Sequence, residues 1–170
     1  MRNSIPVNVL ALLAAGQLLM ASCKKNKDAA PAKSEKYGLI AGNWQQKDIV
    51  FAVPVKLGGQ NIPAGTSIIK LAPLLGPAGA LFTCTTTNTY QFGADGQFNI
   101  KGCTDLILPT AGNTGTWKLD VHDAVFLLTN GKGDKDPHWI QNVSDSALDL
   151  SITVTIPNVA TAPLVLKLKK

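Results

Sequence analysis

The segment at residues 146–156 alternates between apolar and polar side chains at almost every step. Because successive side chains of a β-strand point to opposite faces of a sheet, this period of two predicts a strand with one buried face. Such half-buried strands are typical of antiparallel sheets. The buried face holds Leu148, Leu150, Ile152, Val154 and Ile156, and the solvent face holds Asp149, Ser151, Thr153 and Thr155.

Eight segments with strand character, separated by turn residues, are distributed along the chain after residue 42. Turns such as Gly93-Ala-Asp-Gly96 supply the positive φ that hairpins need. The predicted strands are 43–51, 86–92, 97–103, 114–120, 124–129, 138–143, 147–156 and 163–169. Because most of them connect as consecutive hairpins, we predict an all-β fold, an antiparallel up-and-down barrel of about eight strands. The interior of such a barrel is filled by side chains or holds one small ligand.

Residues 52–82 interrupt this rhythm and are predicted to form a short helical insert. The stretch 66–75 is a helix candidate with Thr66 as N-cap and an end near Ala72, ahead of Pro73. The insert either covers the barrel mouth or packs beneath it. An exposed apolar patch on it would mark an interaction surface; the alternative is that it is the closed end of the core.

The N-terminus has the features of a secretory signal. Arg2 precedes an apolar run of about 14 residues, 7–20, which is shorter than the roughly 20 residues that a membrane-spanning helix needs. The run leads into Met20-Ala21-Ser22-Cys23, which resembles the lipobox of bacterial lipoproteins. The resemblance implies removal of residues 1–22 and lipidation of Cys23, which would anchor the protein to a membrane without a spanning helix.

Charge divides the remaining chain into a basic tether and a nearly neutral domain. Residues 23–37 hold five Lys against one Asp and one Glu and carry no large apolar side chain before Tyr37, so we predict a disordered tether. Residues 38–170 hold ten Lys and nine Asp and are predicted to form one domain. No Arg follows Arg2, and Arg is the usual bidentate reader of phosphates and bases. We therefore expect no nucleic-acid partner.

Two cysteines remain for the domain, Cys84 and Cys103, and they flank a predicted hairpin. Export places them in a compartment that permits disulfides. A bridge between them would stabilise the fold by roughly 3 kcal/mol in the chain-entropy model. Two free buried thiols are the alternative.

Few residues are candidates for chemistry. His122 lies at a predicted turn. His138 follows Asp134-Lys-Asp136-Pro137, where a solvated turn is favoured over a metal site because Lys132 and Lys135 oppose a cation. No motif of a nucleophilic hydrolase, a P-loop or a zinc protease occurs. We expect no catalytic residues, no metal, no cofactor and no enzymatic activity.

The aromatic residues are candidates either for lining a ligand pocket or for packing the core. Core packing is favoured for each residue singly, although an eight-stranded barrel as a whole often contains some pocket. The set comprises Trp44, Tyr90, Phe92, Phe98, Trp117, Phe126 and Trp139.

Several short sequence motifs of the domain occur in a characteristic order. Residues 38–46 read GLIAGNWQQ, and they are followed by Cys84, Tyr90-Gln-Phe92, Asp95-Gly96, Cys103, Gly115-Thr-Trp117-Lys-Leu and a last strand of alternating Leu and Lys. Together they resemble the lipocalin-like lipoprotein domains of Bacteroidetes-type bacteria, over roughly residues 37–170. The resemblance implies a calyx-like barrel and a Cys84–Cys103 disulfide. Gly42-Asn43-Trp44 is also similar to the Gly-x-Trp start of true lipocalins, which implies a structural Trp44 that closes the barrel base.

These features predict a lipid-anchored protein of the cell envelope that binds a small apolar or amphipathic ligand. The alternative is an interaction or inhibitor module that acts through loops and the 52–82 insert. The stretch Lys24-Lys25-Asn26-Lys27 lacks an acid-rich surface-export signal, which favours the outer membrane with the domain facing the periplasm. Oligomeric state is left open.

Overall fold

The computed structural model describes residues 33–103, 108, 110–156 and 160–170. Within them, eight antiparallel strands close into a barrel, and two short strands form a separate hairpin. The strands are Gly42–Phe51 (β1), Val55–Leu57 (β2), Gln60–Ile62 (β3), Thr89–Phe92 (β4), Gln97–Lys101 (β5), Thr114–Asp120 (β6), Val125–Asn130 (β7), Lys135–Val143 (β8), Ala147–Ile156 (β9) and Ala160–Lys169 (β10). The helices are Glu35–Ile40 (α1), Ile68–Leu71 (α2) and Pro77–Cys84 (α3), with 3₁₀ turns at Ala72–Leu75 and Thr85–Thr87.

The strand order around the barrel confirms the predicted up-and-down topology. Each of the strands from β4 to β9 pairs with the next along the chain, and β1 closes the ring by pairing with both β4 and β10. We call the end with the β4–β5, β6–β7 and β8–β9 turns the base, and the opposite end the mouth. The mouth carries the segment 52–88, which joins β1 to β4.

Strand limits differ from the predicted ones in two instructive places. β4 begins at Thr89 and not at residue 86, because the hydroxyls of Thr85 and Thr86 donate to the carbonyls of Phe82 and Thr83 at 2.8 and 2.9 Å and hold a 3₁₀ turn. β8 begins at Lys135 and not at residue 138, which lengthens the strand toward the mouth.

The base is closed by α1, which lies where the sequence predicted the end of a disordered tether. Ser34 caps the helix by accepting a hydrogen bond from the Tyr37 backbone at 3.2 Å. Tyr37 stacks on Trp117 with ring centroids 4.1 Å apart, and Trp44 Nε1 donates to the Ile40 carbonyl at 2.7 Å. The predicted boundary at residue 38 is therefore too late, because Tyr37 supplies the apolar contact that the tether composition lacks. Cys23 and residues 1–32 lie outside the described residues.

The insert adds two elements that were not predicted, the β2–β3 hairpin and α3. The helix candidate at 66–75 is confirmed as α2 and a 3₁₀ turn, but its N-cap is Ser67 and not Thr66. Ser67 Oγ accepts from the Lys70 backbone at 3.3 Å and donates to Asp48 Oδ1 at 2.6 Å, so the cap also joins the insert to β1. In the described part of the chain, no helix is both long and apolar enough to cross a membrane.

Cys84 and Cys103 form the predicted disulfide, with their Cα atoms 6.0 Å apart. Beside it, the side-chain amide of Asn88 makes two hydrogen bonds with the Cys103 backbone, accepting from its N–H at 2.7 Å and donating to its carbonyl at 2.8 Å. We call these two hydrogen bonds the amide clamp. Gly102 has φ +118°, and a Cβ there would overlap the Asn88 side chain. The bridge and the amide clamp together join the end of α3 to the end of β5.

Candidate functional site

Six of the seven candidate aromatic residues pack the barrel core. Phe92 lies at the centre of this cluster, with ring centroids 4.9 Å from Phe126, 6.0 Å from Trp117 and 6.4 Å from Tyr90. The six are between 0 and 3% exposed: Trp44, Tyr90, Phe92, Phe98, Trp117 and Phe126. Burial raises the pKa of Tyr90 to about 12, despite a hydrogen bond from Asn88 that acts in the opposite direction.

The seventh, Trp139, is 57% exposed and so lies outside the core. It lines an open cavity instead. Trp139 pairs with Val125 across β7 and β8, and the adjacent pair along these strands is His138 with Phe126. Since strand side chains alternate, a buried His138 directs Trp139 to the outer face.

Apolar side chains fill the barrel interior that a ligand-binding calyx would leave open. The accessible area of a residue includes the walls of any internal cavity large enough for water. Side chains from five elements around the barrel axis have no such area: Ile49, Phe82, Leu128, Leu148, Leu164 and Leu166 are all 0% exposed. The described interior therefore favours the core alternative over a ligand-filled calyx.

Neither histidine lies in a metal cluster; within the described residues, no group of three or more His, Cys, Asp or Glu is placed to hold an ion. His122 is exposed in the β6–β7 turn, with φ 54°. His138 was predicted in a solvated turn, but it is 4% exposed and lies in β8. The turn ends earlier because Asn130 Oδ1 accepts from the backbones of Lys132 and Asp134, both at 2.9 Å, and closes a tight loop.

An apolar groove lies between the β2–β3 hairpin and the helical part of the insert. We call it the insert groove; its volume is about 360 Å³ and it is lined by Leu57, Gly58, Gln60, Ile62, Leu71, Leu74 and Leu75. Ile62 and Leu75 are 9 and 8% exposed and form its floor, whereas Leu74 is 74% exposed. No lining residue is charged.

Local sequence explains why this groove has a defined shape. Gly58 and Gly59 have φ 56° and 82°, which is the two-residue hairpin turn that Gly-Gly favours, and it pairs Val55 with Ile62. On the other wall, Gly79 packs α3 directly against the Ala72 backbone, where a Cβ would overlap the carbonyl. Both walls are therefore fixed by glycines that other residues cannot replace without strain.

The sequence contained one signal for this groove. Gly58-Gly59 stands between Val55-Lys-Leu57 and Gln60-Asn-Ile62, which is the hairpin pattern of two alternating segments around two glycines. This pattern predicts the hairpin but not a groove beside it. The opposite wall depends on contacts between α2, α3 and the barrel, which no local pattern reveals.

A depression on the outer wall differs in chemistry. Its volume is about 450 Å³ and its outward side chains are amides, a threonine and lysines: Asn43, Gln45, Thr89, Gln91, Asn99, Lys101 and Lys170. An apolar molecule would gain little there. The insert groove is the better match to the predicted ligand class.

Comparison with known proteins adds no family: no family model matches the chain, and no curated protein matches it.

Proposed function

We propose that this protein is a lipid-anchored lipoprotein of the cell envelope that binds a small apolar or amphipathic molecule in the insert groove. The observation that carries the binding is the groove at the barrel mouth, about 360 Å³ in volume and lined mainly by Leu and Ile. Small-molecule sites are typically concave, apolar and of about 300–1,000 Å³. The closed barrel beneath it acts as a rigid support and not as the container.

The anchor in this proposal rests on Met20-Ala21-Ser22-Cys23 and on the short apolar run before it. Lipidated Cys23 would hold the protein at the outer membrane, with the domain in the periplasm. The resemblance to lipocalin-like lipoprotein domains is supported by the closed eight-stranded barrel and by Trp44, 1% exposed at its base.

The anchor is tested by replacing the lipidated residue. Cys23→Ala should leave an unprocessed precursor, and Ser22→Ala, which keeps a small residue before the cysteine, should mature normally. Mass spectrometry of the membrane fraction distinguishes the two. Normal maturation of Cys23→Ala would remove lipidation from the proposal.

The groove is tested with the amphipathic fluorescent probe 1-anilinonaphthalene-8-sulfonate. Leu74→Asp places a carboxylate in the groove and should weaken probe binding at least tenfold, because burying an unpaired charge is costly. Leu74 is 74% exposed, so the change should not disturb folding. The matched control is Leu81→Asp, at an exposed leucine on α3 that does not line the groove. Unchanged binding in Leu74→Asp would contradict the proposal.

A protein partner is the second candidate, as the predicted interaction or inhibitor module. It is favoured by Val53 and Leu81, which are 45 and 44% exposed on the insert but lie outside the groove. A partner that covers this wider surface would be lost from pulldowns of both Leu74→Asp and Leu81→Asp. A small ligand would be lost from Leu74→Asp alone.

A further inference from the structure

The barrel wall is incomplete between β8 and β9 on the mouth side. The ladder between these strands runs from Val143↔Leu148 to Ile140↔Leu150, and among the described residues it goes no further, although both strands continue. Two side chains bridge the gap instead. His138 Nδ1 lies 3.2 Å from the Ser151 carbonyl oxygen, and Gln141 Nε2 donates to Ser151 Oγ at 2.7 Å.

A cavity of about 450 Å³ opens at this gap. Its inner end is lined by Asp136 and His138, and its outer rim by Trp139, Ser151 and Thr153. Trp139 is 57% exposed, in contrast to 1% for Trp44 and 3% for Trp117. An exposed indole ring beside a cavity is a feature that the stability of the fold does not require.

The inner end holds polar atoms without hydrogen-bond partners. His138 Nε2 and Asp136 Oδ2 are buried and make no hydrogen bond, although buried polar groups in native proteins are nearly always satisfied. The Asp136 side chain as a whole remains 16% accessible, against 5% for His138. Asp136 is thus the more accessible side chain of the pair.

Two neighbours set the position of the imidazole. The Ser151 carbonyl oxygen, which only accepts hydrogen bonds, lies 3.2 Å from His138 Nδ1. The other ring nitrogen, Nε2, lies 3.3 Å from Asp136 Oδ1. The imidazole therefore lies between the Ser151 carbonyl and the Asp136 carboxyl group.

The cavity lining combines an aromatic ring, hydroxyls and one carboxyl group with apolar side chains such as Ile152 and Leu164. A cationic ligand would find only a carboxyl group that His138 already faces, an anionic one would find no Lys or Arg in the lining, and an apolar one would leave polar atoms unsatisfied. We infer that this cavity, the β8–β9 seam site, binds a neutral polyhydroxylated ring, that is, a sugar residue. One C–H face of the ring packs on Trp139, and its hydroxyls bond Ser151 and Thr153, with Asp136 at the inner end of the cavity.

Trp139 supplies the readout, because the other two tryptophans are buried. The full-length protein in detergent is titrated with maltohexaose, cellohexaose, mannohexaose and chitohexaose, and acrylamide quenching of tryptophan emission is followed. At least one sugar should protect Trp139 from quenching. Absence of protection by all four at millimolar concentration would overturn the inference.

Variants then locate the binding by isothermal titration calorimetry. Trp139→Ala and Thr153→Ala should weaken binding of the protecting sugar at least tenfold. Thr155→Ala is the matched control, since Thr155 lies on the same face of β9 but outside the cavity. Equal affinity in Trp139→Ala and the wild type would overturn the assignment. Leu74→Asp should leave sugar binding unchanged, because Leu74 does not line the seam site. The proposals for the seam site and for the insert groove are thus tested independently.

Discussion

At the base of the barrel a helix of six residues closes the sheet, whereas at the mouth the whole segment 52–88 does so. The base uses contacts near in sequence or across short turns, such as Trp44 to Ile40. The mouth needs a disulfide, the Asn88 clamp and four helical elements, two α-helices and two 3₁₀ turns. Of the five large apolar side chains that are exposed among the described residues, three lie on the insert, Val53, Leu74 and Leu81. The mouth segment thus exposes more large apolar side chains than the base does.

The strongest test of the base is removal of its buried indole. Trp44→Ala should lower the free energy of unfolding by about 3–5 kcal/mol, because it empties a fully packed position. Trp139→Ala, the same change at an exposed position, should cost about 0.5 kcal/mol or less. Urea denaturation followed by circular dichroism measures both. Similar losses in the two variants would contradict the description of the base.

The disulfide tests the mouth. Cys84→Ser with Cys103→Ser should lower stability by roughly 3 kcal/mol in the chain-entropy model, since the bridge joins residues 19 apart. The loss should match that caused by reducing the wild-type protein. A double variant as stable as the oxidised wild type would show that the amide clamp alone holds the mouth.

Alkaline pH tests the polar network beside the disulfide. The folded-state pKa of Tyr90, about 12, lies above the ordinary value of 10.0, so folding favours the neutral phenol. Its contribution is complete below pH 10 and is lost as the pH rises toward 12, and it amounts to roughly 2 kcal/mol. Unfolding free energies at pH 9 and 12 should therefore differ more in the wild type than in Tyr90→Phe. An equal difference in both proteins would place the alkaline loss elsewhere.

The smallest effect is expected at a base turn. Val121, His122 and Asp123 all have positive φ, between 49° and 62°, and a β-branched residue is poorly suited to this region. Val121 is 54% exposed, so Val121→Asn loses little packing and should raise stability by about 1 kcal/mol. Thermal melting checks this, with Val53→Asn as a control at another exposed valine. A lower melting temperature for Val121→Asn would mean that the side chain stabilises the turn.

The same contrast explains what the sequence could predict. β9 and β10 were predictable because alternating Leu148–Leu150 and Leu164–Leu168 patterns specify a buried face without reference to the rest of the chain. The Tyr37–Trp117 stack, α3 and the buried His138 depend on partners far along the chain, so no local pattern predicted them. The insert groove is predictable only in part. The Gly58-Gly59 pattern indicates one wall, whereas tertiary packing sets the other.

The central claim is that a ligand binds at the mouth, in the insert groove, and not inside the barrel. Methyl-resolved NMR of the full-length protein in detergent, titrated with lauric acid, tests it directly. The account predicts shifts at the methyl groups of Leu57, Leu71 and Leu74, with Leu128, Leu164 and Leu166 unchanged. Shifts at those three interior leucines, with the groove unaffected, would contradict it and restore a calyx.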